Sequence, residues 1–228
     1  MNLLAIETSS EFCSVAAARG EGVFSLHEPA GQRHGELLIP MIDAVLSEAQ
    51  LALEELEGIA YGSGPGSFTG LRISCGVTQG LALARGIPVV GIGTLLALAD
   101  AAAEEAKHDR VIACIDARMG EVYHAAYRRE RGQWQEVFAP GLYKPGEVPA
   151  MQEDGWLGCG SGFAAHGESL KSCYGEALVG LRPDVQATAR TVLKLAMPVF
   201  AAGKGEDAAT ATPVYIRDKV ALKTSERR

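Results

Sequence analysis

The segment with the clearest capacity for chemistry is Gly62-Ser63-Gly64-Pro65-Gly66-Ser67-Phe68-Thr69-Gly70-Leu71-Arg72, which follows an apolar run and opens a helical pattern. Backbone amides in such a loop can cradle an anion, with Gly64, Gly66 and Ser67 as the candidate contacts. It fits neither common phosphate-binding template. No Lys-Ser/Thr pair follows at P-loop spacing, and Ser67 occupies the third glycine position of the dinucleotide fingerprint. The structural alternative is a tight turn in which glycine supplies positive φ and Ser67 or Thr69 caps the helix. Two acids, Glu7 and Asp116, stand near strand ends at corresponding places in the two halves of the chain. Read locally, they are turn residues that cap Thr8-Ser9-Ser10 and Arg118.

Other chemistries lack their residues. No serine lies in a G-x-S-x-G elbow, and Ser161, between Gly160 and Gly162, lacks the outer glycines. His27, His34, His108, His124 and His166 form no H-E-x-x-H and no i, i+4 pair, so no helix turn presents two imidazoles to a metal. They are expected at the surface or at polar edges. Cys13, Cys75, Cys114, Cys159 and Cys173 include no C-x-x-C, which argues against a disulfide framework or a thiolate zinc site and for small buried apolar residues.

The elements that must position these residues follow from periodicity. Strands are predicted at Leu3 to Thr8, Cys13 to Arg19 and Val23 to Glu28, then a helix over Glu36 to Gln50 with Pro40 in its first turn or kinking it. A strand at Gly58 to Ser63, a helix from Thr69 to Arg85 closed by Gly86, a strand at Pro88 to Gly93 and a helix from Thr94 to Ala106 complete the first half. After Lys107-His108-Asp109-Arg110 the meander returns, with strands at Val111 to Asp116, Glu121 to Arg128 and Trp134 to Phe138. A short helical piece near Gly146 to Met151, a strand at Trp156 to Gly160 and a helix from Ala187 to Ala202 follow. The chain therefore reads as a duplicated α/β fold with lobes at 1–106 and 107–212 and an extended basic tail at 213–228.

The helix from Thr69 to Arg85 carries a further signal. Leu71, Ile73, Val77, Leu81, Leu83 and Ala84 spread around most of its circumference, as if it were buried on two sides. Gly76 and Gly80 bare a strip of backbone on which another helix could approach closely. That helix could belong to a partner or be the chain's own Glu36 to Gln50 segment.

Composition narrows the class. The 228 residues are 47% hydrophobic and 21% charged, the balance of a globular protein rather than a disordered or fibrous one. No apolar run reaches membrane-spanning length and the first residues lack a basic leader, so a cytoplasmic protein without membrane attachment is expected. A net charge of -7 opposes phosphate backbones. Locally, Arg217, Lys219, Lys223, Arg227 and Arg228 outweigh Asp218 and Glu226 by three charges, which reads as a solvated tail or a site of RNA contact.

The duplicated βββαβα order resembles the actin-like (ASKHA, ribonuclease H-like) superfamily. Its enzymes often place carboxylates at the positions of Glu7 and Asp116 for a metal-bound nucleotide. Ala5-Ile6-Glu7-Thr8-Ser9, His34 with Glu36-Leu37-Leu38-Ile39-Pro40, the glycine-rich segment Gly64 to Arg72, Ile115-Asp116-Ala117-Arg118 with Glu121-Val122-Tyr123, and Pro213-Val214-Tyr215-Ile216-Arg217 are similar to the bacterial TsaB (YeaZ) family over nearly the whole chain. The resemblance implies a scaffold that works with the paralogous TsaD and the ATPase TsaE. Their joint reaction transfers threonylcarbamoyl from threonylcarbamoyl-AMP to the adenosine beside the anticodon in tRNAs that read codons beginning with A.

Alignment with TsaD puts Thr94 and Leu98 where the paralogue has its two metal histidines, and neither can replace an imidazole. The resemblance thus implies a catalytically inactive subunit with no metal and no cofactor of its own, an adenine nucleotide at the complex interface being left open. It also implies pairing through the first lobe, as a homodimer alone and a heterodimer with TsaD, with TsaE and tRNA met only through the complex. Leu38, Met41, Ile42, Arg72, Ile73, Gly76, Gly80 and Leu83 are the candidate interface residues. The rival reading is a nucleotide-dependent phosphotransferase of the same superfamily, against which Glu7-Thr8-Ser9-Ser10-Glu11 offers no glycine hairpin. A peptidase would need a nucleophile or metal centre, and the sequence carries neither motif.

Overall fold

A computed structural model describes residues 1–217. The described chain holds two five-stranded sheets with the same topology. In the first, β1 (Asn2–Glu7), β2 (Phe12–Arg19) and β3 (Gly22–Pro29) form an antiparallel meander, and β4 (Gly58–Gly64) and β5 (Val89–Gly93) add in parallel on the other side of β1, giving the order β3-β2-β1-β4-β5. The second repeats this with β6 (Arg110–Asp116), β7 (Val122–Glu130), β8 (Gln133–Tyr143), β9 (Trp156–Cys159) and β10 (Leu178–Arg182), in the order β10-β9-β6-β7-β8.

Alternation along β1 assigns the layers. Leu4 and Ile6 point to one face, where they meet α1 (His34–Glu48) residues Leu38, Ile42 and Val45; Leu3 and Ala5 point to the other, toward the second sheet. The helix α2 (Phe68–Arg85) follows β4, ends at Gly86 in the left-handed conformation (φ 64°) as expected, and packs on β4. Pro40 lies inside α1 rather than in its first turn, on the exposed side of the helix.

Helix α3 (Thr94–Ala106) ends the first repeat in sequence yet lies mainly on β6, β7 and β9 of the second sheet. Conversely, α5 (Ala189–Ala201) ends the second repeat and lies on β1, β2, β4 and β5 of the first. A cut at 106/107 therefore separates the sheets, while each closing helix packs across it into one core that joins Leu3, Ala5 and Val90 to Val111, Ala113 and Leu193. Asp100 of α3, 2% exposed, pins this layer: Oδ1 accepts from Trp134 Nε1 of β8 at 2.9 Å and Oδ2 from Lys194 Nζ of α5 at 2.7 Å.

Three expectations are corrected. Gly146 to Met151 is not helical: a turn closes between Lys144 and Glu147 (Glu147 N to Lys144 O, 2.9 Å), and Pro145 and Pro149 leave no room for a continuous ladder. The second repeat accordingly has no counterpart of α1. A further helix, α4 (Ser161–Tyr174), and strand β10 occupy the stretch left unassigned; α4 mixes Gly162, Gly167 and polar residues with its apolar ones and breaks helical geometry at His166, which blurs its period. Histidine burial is the third correction. His124 is 0% exposed between Phe138, Tyr143 and Tyr174, and His34 is 5% exposed, its Nε2 donating to Ser10 O at 2.9 Å. Four of the five cysteines are buried and all five are free.

Candidate functional site

The glycine-rich segment forms the β4–α2 turn, and the structure supplies a packing reason for each glycine singled out. Gly64 sits at φ 108°, and a Cβ there would lie 2.8 Å from Val214 O; one on Gly66 would lie 2.6 Å from Ser9 O. The Gly64–Pro65 bond is cis. Ser67 caps α2, its Oγ accepting from Gly70 N at 3.3 Å while its own N–H donates to Ser9 O at 2.7 Å. The Ser67 and Gly70 amides are thus engaged within the chain, in capping and in the contact with Ser9. Thr8 Oγ1 donates to Gly70 O at 2.8 Å, which ties the end of β1 to the first turn of α2.

Glu7 and Asp116 do occupy equivalent strand ends, but their surroundings differ. Glu7 is 2% exposed; its Oε1 accepts from Ser9 N at 2.6 Å and its Oε2 has no partner. Burial raises its pKa above the ordinary 4.5, against the lowering effect of the Ser9 hydrogen bonds. Gly62 makes room for it, since a Cβ there would fall 1.9 Å from Oε2. Asp116 lies on the wall of a cleft of about 860 Å³ between the two sheets, shared with Ser67, Thr94 and Ser161. Its backbone N–H donates to Ser161 Oγ at 3.1 Å, Oδ1 accepts from Arg118 N at 3.0 Å, and Oδ2 pairs with the Arg118 guanidinium at 3.1 Å. His166 Nε2 stands 3.5 Å from Oδ1.

Thr94 and Leu98, 2% and 3% exposed, lie at the cleft floor. A hydroxyl and an isobutyl group do not make a transition-metal site. Among the described residues, no three His, Cys, Asp or Glu side chains gather as metal ligands, and no helix is long and apolar enough to cross a membrane.

The candidate interface residues divide sharply. On α2, Leu71, Ser74, Cys75, Thr78 and Ala82 are buried, and Cys75 Sγ and Gln79 Nε2 both reach Ala211 O on the segment that follows α5. Arg72, Gly76, Gly80 and Leu83, at i, i+4, i+8 and i+11, form an exposed stripe, with Leu83 56% exposed and Ile73 at its margin. A Cβ on Gly76 or Gly80 would meet nothing within 4 Å. The helix is thus buried on one side within the chain, and Gly76 and Gly80 face neither the sheet nor α1. Leu38, Met41 and Ile42 are 1%, 6% and 3% exposed in the chain's own core, and the apolar surface of α1 is instead Ile39, 47% exposed, beside exposed Pro40. Core position in an amphipathic helix and contact position look alike in sequence; solvent exposure separates them.

Comparison with known proteins places this geometry. Residues 15–218 match the family model described as TsaD, tRNA N6-adenosine threonylcarbamoyltransferase. The tRNA threonylcarbamoyladenosine biosynthesis protein TsaB of Escherichia coli is 37% identical over 98% of this chain and 97% of that protein, and its namesake in Haemophilus influenzae is 34% identical over 98% and 96%. The solved YeaZ of Pseudomonas aeruginosa is 38% identical, superimposes with a TM-score of 0.87 and covers 94% of this chain and 99% of its own. Full-length identity and the shared actin-like architecture agree: the chain belongs to the TsaB (YeaZ) family of tRNA threonylcarbamoyladenosine biosynthesis proteins.

Proposed function

We propose that the chain is a non-catalytic scaffold subunit for threonylcarbamoyl transfer to tRNA, working with TsaD and TsaE. The observation that carries this reading is the exposed stripe Arg72, Gly76, Gly80 and Leu83 on α2, where two glycines leave backbone open to a closely approaching helix. Ile73 at the margin and Ile39 on α1 extend it, and Leu38, Met41 and Ile42 contribute from beneath by holding α1 in place. The stripe serves a TsaD subunit in the working complex and a second copy of the chain when it is alone.

The inactive role rests on the cleft floor, where Thr94 and Leu98 stand in place of the paralogue's histidines. Asp116 is engaged by Arg118, and Glu7 is buried beneath the β4–α2 turn, so any adenine nucleotide belongs to the complex rather than to this chain. With a net charge of -7, tRNA is met only within that complex. The basic residues expected to approach it lie, after Arg217, outside the described residues. The test mixes the purified chain with TsaD from the same organism and follows complex size and tRNA modification together. Co-elution with modification that depends on this chain supports the proposal; modification at full rate by TsaD and TsaE without it refutes the scaffold role.

A further inference from the structure

The described segment after α5, up to Arg217, is fastened to the rest of the chain. Val214 N donates to Ser63 O at 2.7 Å, and Tyr61 OH bonds the backbone of Thr212, which lays this segment along the end of β4. Tyr215 then packs on Phe68, ring centroids 5.4 Å apart, and its OH accepts from Arg72 Nε at 3.0 Å while the Arg72 guanidinium lies over the Phe68 ring. Two residues later the segment has crossed to the other repeat. Arg217 pairs with Glu121 Oε2 at 2.5 Å and donates to Arg118 O at 3.4 Å, with only 13% of its side chain exposed.

The far anchor is unusual. Arg118, Met119 and Gly120 take φ of 63°, 57° and 74°, three consecutive left-handed residues of which two carry side chains. This turn is closed by Glu121 N to Arg118 O at 3.1 Å and Ala117 N to Glu121 O at 2.9 Å. Such a conformation persists when its surroundings over-determine it, and Arg217 supplies a charged contact to both ends of the turn. Val214, Tyr215, Ile216 and Arg217 all line the cleft between the sheets.

We propose that Val214–Arg217 is a strap that fastens the first repeat to the left-handed turn of the second and so sets the width of the cleft mouth. The strap is anchored by an aromatic and cation stack at one end and an ion pair at the other, and releasing either end frees both. Through Arg72 it also touches the exposed stripe of α2. A purely local tail would behave differently, because loss of Tyr215 on the first repeat would then leave the second repeat's turn untouched.

Amide hydrogen exchange of the full chain separates the two. Tyr215→Ala and Arg217→Ala are each expected to speed exchange at Ala117 and Glu121 by tenfold or more while the amides of β1 and β6 keep their rates. The charge swap Arg217→Glu with Glu121→Arg is expected to bring the turn back to within about threefold of the native rate. Unchanged exchange at Ala117 and Glu121 in Tyr215→Ala overturns the strap. Acceleration spread evenly through both sheets also overturns it, since the segment would then be a general stabiliser rather than a fastener.

Discussion

The two repeats share a strand order but bury opposite kinds of titratable group. In the first, the interior acid Glu7 lies under the β4–α2 turn with its pKa raised by burial; in the second, the interior base His124 sits among aromatic rings with neither ring nitrogen bonded and its pKa lowered to about 4. Burial disfavours the charged form of both, so stability falls as pH rises for Glu7 and as pH falls for His124. The first repeat also keeps α1 and an open face on α2, whereas a loop replaces the equivalent of α1 in the second.

The largest expected effects come from glycines that fill the first repeat. Gly70→Ala would put a Cβ 1.8 Å from Thr8 O, and Gly62→Ala one 1.9 Å from Glu7 Oε2. Each is expected to cost more than about 4 kcal/mol or abolish folding, read by urea denaturation. The second repeat should yield less to Gly162→Ala, whose closest contact is the Cys114 Cβ at 2.8 Å, with a loss of about 2 kcal/mol. Equal costs in the two halves would remove the asymmetry.

Next in size is the pH response of His124. Its folded pKa is about 4 against 6.5 for the free group, so the unfolded chain takes up the proton first as pH falls. Between pH 7 and pH 5 this should remove about 2 kcal/mol of stability, a loss absent in His124→Phe. Glu7 acts in the other direction: its contribution is full below the ordinary 4.5 and is lost as pH rises through its raised folded pKa. Glu7→Gln should therefore flatten the stability profile above the ordinary 4.5 and leave it unchanged below.

How legible these features were in sequence depends on the period each leaves. The meanders and α2 were readable because β-alternation, a serine cap and a closing glycine agree over the same residues. The interior of α4 was not, since a break at His166 and two glycines interrupt its apolar spacing. The burial of His124 follows from Tyr143 and Tyr174 converging on it from distant segments, a tertiary fact that leaves no local trace. At the site, Thr94 and Leu98 acquired meaning only through resemblance. The glycines of α2 were visible as a spacing, but which way they faced was not, and Leu38, Met41 and Ile42 had the same apolar signature whether they met a core or a partner.

The smallest effect marks the open face. Gly76→Ala enters empty space in a helix interior and should raise stability by about 0.5–1 kcal/mol, in contrast to Gly62 and Gly70. The central claim, that this face is where a partner helix seats, is tested most directly by Gly76→Arg and Gly80→Arg with circular dichroism and light scattering on the same samples. A long cation there would cost an apolar helix contact on the order of 3 kcal/mol without touching the chain's own core. The expected result is native helix content, a monomeric mass and loss of co-elution with TsaD. A native fold with an unchanged dimer and intact TsaD binding would contradict it.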